Sequence, residues 1–356
     1  MSSGIFFDAR YIQIAHHDGI SRFSAGLLTA LNNKIDVTAV ISDLRQLEKL
    51  PTGIKFVKVT SPTSICEPLV SLQLNKLGAK KVFSPMQTMG SFGRKFKLVL
   101  TVHDLIYYRH PTPPPSFNLA VKLLWRLYHL TYAPQRLLLN RADAIATVSQ
   151  TTKNLMAKHR LTTKPVQVVY NAASDGALSA PRLEAPVAKH LVYMGSFMDY
   201  KNVEVLLAGM QHLPGYELHL LSRISSGRKA ELQQLIQQNV KVIFHNGVSE
   251  DEYSNILNGA TALVSGSRDE GFGIPLVEAM SLGIPAVVSE IEIFKEIGGQ
   301  AAIYFNQESP KSFAEAVLSI ESASRWLEVS KLSQDQAKKF NWNSSANTLI
   351  ELLENL

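Results

Sequence analysis

The chain has 356 residues, 46% of them hydrophobic and 19% charged, a globular balance with length enough for two domains. No run of eighteen apolar residues occurs, and the start MSSGIFFDARYIQ lacks a basic segment followed by an apolar one, so neither a transmembrane helix nor a secretory signal is expected. The net charge of +6 divides unevenly, with +13 on residues 1–178 and −7 on residues 179–356.

In chain order, the first half offers β-rich runs at 4–9 (GIFFDA), 35–42 (IDVTAVIS), 54–59 (IKFVKV), 97–102 (KLVLTV), 142–148 (ADAIATV) and 166–170 (VQVVY). The single cysteine, Cys66, leaves no disulfide or thiolate cluster and reads as a small buried hydrophobe in a cytosolic protein. A stretch rich in Ala, Ser, Gly and Pro at 171–190 reads as a linker. Beyond it, strands are predicted at 190–196, 216–222, 241–247, 260–266, 284–289 and 301–305. Near-continuous apolar strands separated by helical stretches predict parallel sheets covered on both faces, hence two doubly wound α/β domains. Ligands of such sheets sit beyond the carboxyl ends of the strands, and the space between two domains is the expected site. A basic half favours an anionic partner, but no zinc, homeodomain or RNA-recognition motif accompanies it, so nucleic acid is not expected.

One stretch concentrates chemistry: SRDEGFGIPLVEAMSLGIPAVVSE, residues 267–290. A strand is followed by Gly271 and Gly273, then a helix that Pro275 is predicted to open and Gly283 to end. The helix start suits a phosphate, and the glycines let the backbone approach it. Glu270 and Glu278 flank this cradle. Glu278 has a plain alternative, an acid in the first helical turn complementing the dipole, and Glu270 that of a solvated loop residue. A glycosidase-like acid and nucleophile is a third possibility. A phosphate between the two carboxylates favours their use as acceptors for sugar and ribose hydroxyls.

The same stretch resembles the E-x7-E motif of retaining glycosyltransferase family 4, which has the GT-B fold. The resemblance implies two Rossmann-like domains across a cleft. Residues 1–178 would form the acceptor domain, with 340–356 (FNWNSSANTLIELLENL) returning to it, and residues 179–339 the nucleotide-sugar domain. It implies that Glu270 binds donor-sugar hydroxyls, that Glu278 binds ribose, and that Gly271, Phe272, Gly273 and Ile274 line the donor site. LVYMGSFMDYKN (191–202) is similar to the family's "YVGxxxxRKN", so Lys201 would meet the donor diphosphate; a solvated lysine is the plain alternative. Ser196 stands where many relatives carry arginine, and Arg268 or Arg22 is a candidate for the missing charge. The segment 242–267 is similar to the stretch that places the backbone near Val248 on the base, while Ser249 and Glu252 also form a capping box. TVHDLIYYRHP (101–111) resembles "TxHDLxxLxxP", which puts His103 near the donor sugar and lets Asp104 brace the loop. DGISRF (18–23) is similar to a flexible "GIGRY" loop in which Gly19 allows closure over the diphosphate, with Arg22 nearby.

The resemblance thus implies a retaining hexosyltransferase, mannose the first donor sugar, with catalytic Lys201, Glu270 and His103. No metal and no cofactor beyond the nucleotide sugar is implied, and the acceptor is a glycan or lipid-linked hydroxyl. A sugar-nucleotide epimerase or phosphorylase, or a non-catalytic nucleotide-sugar-binding protein, is the alternative. Finally, residues 105–142 contain no acid but include Arg109, Lys122, Arg126, Arg136 and Arg141. With Phe117, Trp125 and Tyr128 among them, they read either as a patch for an anionic membrane at its inner face or as a core-packed helix over 116–133.

Overall fold

The computed structural model describes residues 4–14, 18–113, 117–173 and 180–356. The chain divides into two compact units, Met1–Ser174 with Asn341–Leu356, and Asp175–Phe340. The boundary expected at 178/179 lies outside the described residues.

The first unit holds seven parallel strands: β1 (Ile5–Asp8), β2 (Val37–Ile41), β3 (Lys55–Lys58), β4 (Lys81–Ser84), β5 (Lys97–Val102), β6 (Ala144–Thr147) and β7 (Val166–Val168). Their order is β3-β2-β1-β4-β5-β6-β7. The second unit holds β8 (His190–Tyr193), β9 (Glu217–Leu220), β10 (Lys241–Phe244), β11 (Ala262–Ser265), β12 (Ala286–Ser289) and β13 (Ile303–Phe305), ordered β10-β9-β8-β11-β12-β13. Every residue of β6 and β12 is buried, as strands covered on both faces must be. Strand order reverses between β1 and β4 and between β8 and β11, which creates a switch point at the carboxyl edge of each sheet.

Two expectations change here. β4 lies mid-sheet where no strand is predicted, because Lys80, Lys81 and Pro85 leave only Val82 and Phe83 as an apolar run. Pairing with both β1 and β5 overrides that weak local signal. Cys66 is exposed rather than buried.

The helix Trp342–Glu354 belongs to the first unit and packs on the helix Gly19–Asn32. Gly26 makes room for the Trp342 indole, since a Cβ there would lie 2.3 Å from its ring. Ser345 Oγ donates to the Tyr170 carbonyl at 2.7 Å, and Lys81 Nζ to that of Leu353 at 2.6 Å.

Candidate functional site

In the second unit, β11 runs into a loop that leads to the helix Ile274–Ser281. Gly273 caps that helix with φ at 96°, a left-handed value that a side chain resists. The helix starts at Ile274, so Pro275 takes its second position rather than its first. The missing N–H is harmless there, because first-turn amides have no intrahelical partner. No side chain caps this end, which leaves the backbone amides and the positive dipole as its electrostatic character.

Glu278 is the fifth residue of the helix, not a first-turn acid. Dipole stabilisation falls off within one turn, so position removes the plain explanation. Glu278 is 8% exposed, and its Oε2 accepts from Tyr253 Oη at 2.8 Å. Tyr253 was not singled out from the sequence; on the helix Glu250–Asn258 it looks like any apolar core position.

Neither Glu270 nor Lys201 is solvated. They form a 2.6 Å ion pair in which each side chain is 14% exposed, and Ser267 Oγ donates to the same Glu270 oxygen at 2.7 Å. Lys201 ends a short turn, Asp199–Lys201, that follows β8. The next residue, Asn202, is left-handed (φ 49°) and buried. Its amide donates to the carbonyls of Gly266 at 3.1 Å and Gln307 at 2.8 Å. Gly266 permits this approach, since a Cβ there would lie 2.7 Å from the Asn202 oxygen. Arg268 N–H donates to the Tyr200 carbonyl at 2.7 Å. Two loops distant in sequence are thus clipped together at the β8/β11 switch point. An ammonium has three donors and a carboxylate about four lone-pair positions, so the pair keeps hydrogen-bonding capacity while neutralising itself.

Ser196 is exposed, and its carbonyl accepts from Tyr193 Oη at 2.5 Å. Arg268 does not replace the missing cation there, because its guanidinium grips Glu308 at 2.8 and 3.0 Å. Arg228, unmarked by any sequence pattern, holds this loop through the Phe197 carbonyl at 3.1 Å and is itself offset by Glu204 and Glu231. Val248 lies between Gly247 (φ 101°) and Ser249, whose capping box with Glu252 is formed in both directions. Phe272 is buried edge-on against Phe340, so its side chain is a packing group. Gly271 and Ile274 are half-buried beside it.

In the first unit, His103 follows β5, and its Nε2 lies 2.8 Å from the Pro85 carbonyl. A carbonyl only accepts, so Nε2 carries the hydrogen, and the neutral ring presents Nδ1 as an acceptor. Burial pushes the His103 pKa below its ordinary value. Asp104 accepts from Ile106 N–H at 2.9 Å and braces the loop. Gly19 departs from expectation. With Arg22 it lies at the start of the helix Gly19–Asn32, where Asp18 accepts from Ser21 N–H at 2.7 Å, so Gly19 is helical and not a loop hinge. The segment before it, 15–17, lies outside the described residues. Among the described residues, the grouping with metal-ligand spacing is His190, Glu217 and His219, and it includes none of the site residues.

Residues 180–340 match the family described as glycosyl transferases group 1, and residues 83–175 match glycosyltransferase family 4. The chain is a glycosyltransferase with group 1 and family 4 domains. It is 28% identical over 326 residues to the O-antigen chain mannosyltransferase RfbU of Salmonella typhimurium, covering 85% of this chain and 87% of that protein. It is 24% identical to O-antigen chain mannosyltransferase B of Escherichia coli, covering 71% and 69%. Sucrose-phosphate synthase from Thermosynechococcus elongatus superposes with a TM-score of 0.73 at 16% identity, covering 99% of this chain and 98% of that one. Anabaena HepE in complex with UDP and glucose gives 0.70 at 17%, covering 99% and 100%. At these identities the structures speak for the fold, which in this glycosyltransferase is the two-Rossmann-domain GT-B type.

Proposed function

We propose that this glycosyltransferase moves a mannosyl residue from a nucleoside-diphosphate donor, GDP-mannose first, to a hydroxyl of a glycan or lipid-linked acceptor, with retention and without a metal. The observation that carries the reading is the Lys201–Glu270 pair at the β8/β11 switch point, in the loop that leads to the helix start at Ile274 and on to buried Glu278. Lys201 and the helix start meet the diphosphate, and the cation stabilises charge that grows as the sugar–phosphate bond breaks. Glu270 accepts from sugar hydroxyls, Glu278 from the ribose, and the backbone at Val248 borders the base. His103 offers Nδ1 to a donor-sugar hydroxyl.

Retention follows if the acceptor oxygen approaches the face from which the diphosphate leaves. The C1–O bond to phosphate breaks, the new C1–O bond forms, and a phosphate oxygen takes the acceptor's proton. The mannosyl assignment draws on the names of the relatives, RfbU and mannosyltransferase B among them.

Calorimetry with GDP, UDP and dTDP in EDTA should show GDP binding tightest, and proton NMR of the glycoside formed should show the donor's anomeric configuration. Tighter UDP binding would overturn the donor assignment, an inverted anomer the mechanism, and loss of transfer in EDTA the metal-free reading.

A further inference from the structure

We propose that the helix Leu119–His129 seats the protein on an anionic lipid bilayer through its leucine face. The helix buries none of its residues, contrary to the core-packed alternative. Leu119 is 86% exposed, Leu123 60%, Leu124 66%, Leu127 54%, and Leu130 just beyond the helix 72%. At about 100° per residue, positions 119, 123, 127 and 130 share a stripe roughly 80° wide, and 124 adjoins it. Lys122 and Arg126 border the same stripe on one side.

The opposite side is what holds the helix to its unit. The Trp125 ring lies 5.2 Å from Tyr107, that of His129 4.9 Å from Tyr108, and Tyr128 Oη donates to Gln135 at 3.0 Å. Trp125 and Tyr128, read from the sequence as membrane-facing aromatics, are therefore the attachment to protein. The leucines are what face outward.

A contiguous apolar patch of this kind is unusual on the surface of a soluble monomer. Charge identifies its occupant. No acid occurs from 105 to 142, and the cations that border the stripe, Lys122 and Arg126, have no carboxylate in that segment to offset them. An apolar face bordered by cations, with no carboxylate in the segment, is the pattern of a helix lying in a bilayer interface among anionic headgroups. Among the described residues no helix is long and apolar enough to cross a membrane, so attachment through this face is peripheral. The proposal is independent of the donor and acceptor assignments, and its test contains no nucleotide.

The full chain is sedimented with vesicles of phosphatidylcholine alone and of phosphatidylcholine with phosphatidylglycerol. Binding is expected to the anionic vesicles only and to weaken with salt. Lys122→Gln with Arg126→Gln should weaken it roughly 25-fold, about fivefold for each cation near the surface. Leu123→Gln with Leu127→Gln should weaken it at least about tenfold with an unchanged thermal midpoint, because neither side chain is buried. Wild type that ignores anionic vesicles, or binds neutral ones equally, overturns the proposal. So does a folded leucine double variant that binds like wild type. Equally decisive against it is a wild-type dimer that the leucine variant disperses while vesicles are ignored, which would make the face a contact between two copies.

Discussion

Asn202 offers the sharpest test of how the site is assembled. It is 3% exposed, and its amide bridges the carbonyls of Gly266 and Gln307 at 3.1 and 2.8 Å. Asn202→Ala removes both bonds, which at about 0.5–1.5 kcal/mol each costs roughly 1–3 kcal/mol. The backbone stands at φ 49° and ψ 46°. Asparagine tolerates that region, whereas alanine pays about 1 kcal/mol more. The expected loss is therefore roughly 2–4 kcal/mol. Asn202→Gly loses the bonds but not the conformation and should be milder by about 1 kcal/mol. Urea unfolding reads both as shifts of the midpoint at constant slope. Asn202 also holds the turn carrying Lys201 against the Glu270 loop, so donor affinity gives a second readout. Asn202→Ala added to Lys201→Ala should cost little further affinity, because the asparagine acts through the lysine. Full additivity, or stability of both single variants within about 0.5 kcal/mol of wild type, would refute the clip.

Three further outcomes are expected. Glu278→Gln should keep the fold and weaken nucleotide binding by roughly 1.5–3 kcal/mol, the worth of hydrogen bonds to a charged acceptor; unchanged affinity by calorimetry would remove the residue from the donor site. Lys201→Ala should lower kcat/KM by orders of magnitude in steady-state assays, with no recovery on adding Mg²⁺. Burial holds the His103 and His219 pKa values below the ordinary value, with His190 and His245 adding to the effect at His219. Between the lowered folded value and about 6.5 the unfolded chain binds more protons, so their stability contribution is complete above about 6.5 and is lost as pH falls. Thermal midpoints should drop from about pH 7 to 5, and His219→Gln should flatten the decline; a profile unchanged by that variant would show that His219 does not contribute.

What the sequence made legible was residue type at strand ends. The apolar runs at 97–102 and 260–266 betray buried parallel strands, and Glu270, Glu278 and Lys201 stand out beside glycines. Their partnerships were not legible. Lys201 and Glu270 are 69 positions apart, and the bridge that Asn202 makes to Gln307 spans 105. No local period encodes such contacts. Gly19 shows the converse: the resemblance of DGISRF to a flexible loop makes it a hinge, whereas Asp18 three residues before Ser21 is itself an N-cap signal, and the cap decides the local structure.

The helix at 119–129 shows where periodicity stops being informative. Its leucines recur at helical spacing, and that pattern is the same whether protein, lipid or another copy covers them. The aromatics were the larger and more amphipathic side chains, so from sequence they looked like the membrane-facing set. In the fold, Trp125 and His129 are consumed by Tyr107 and Tyr108, and the attachment of one face determines the exposure of the other. Because the helix spends its rings on holding to the first unit, removing Trp125 should release the helix from the protein. Removing Leu123 and Leu127 should release it only from the surface it meets. A Trp125→Ala variant with a lowered thermal midpoint, beside a Leu123→Gln, Leu127→Gln variant whose midpoint is unchanged, would separate the two faces by their function.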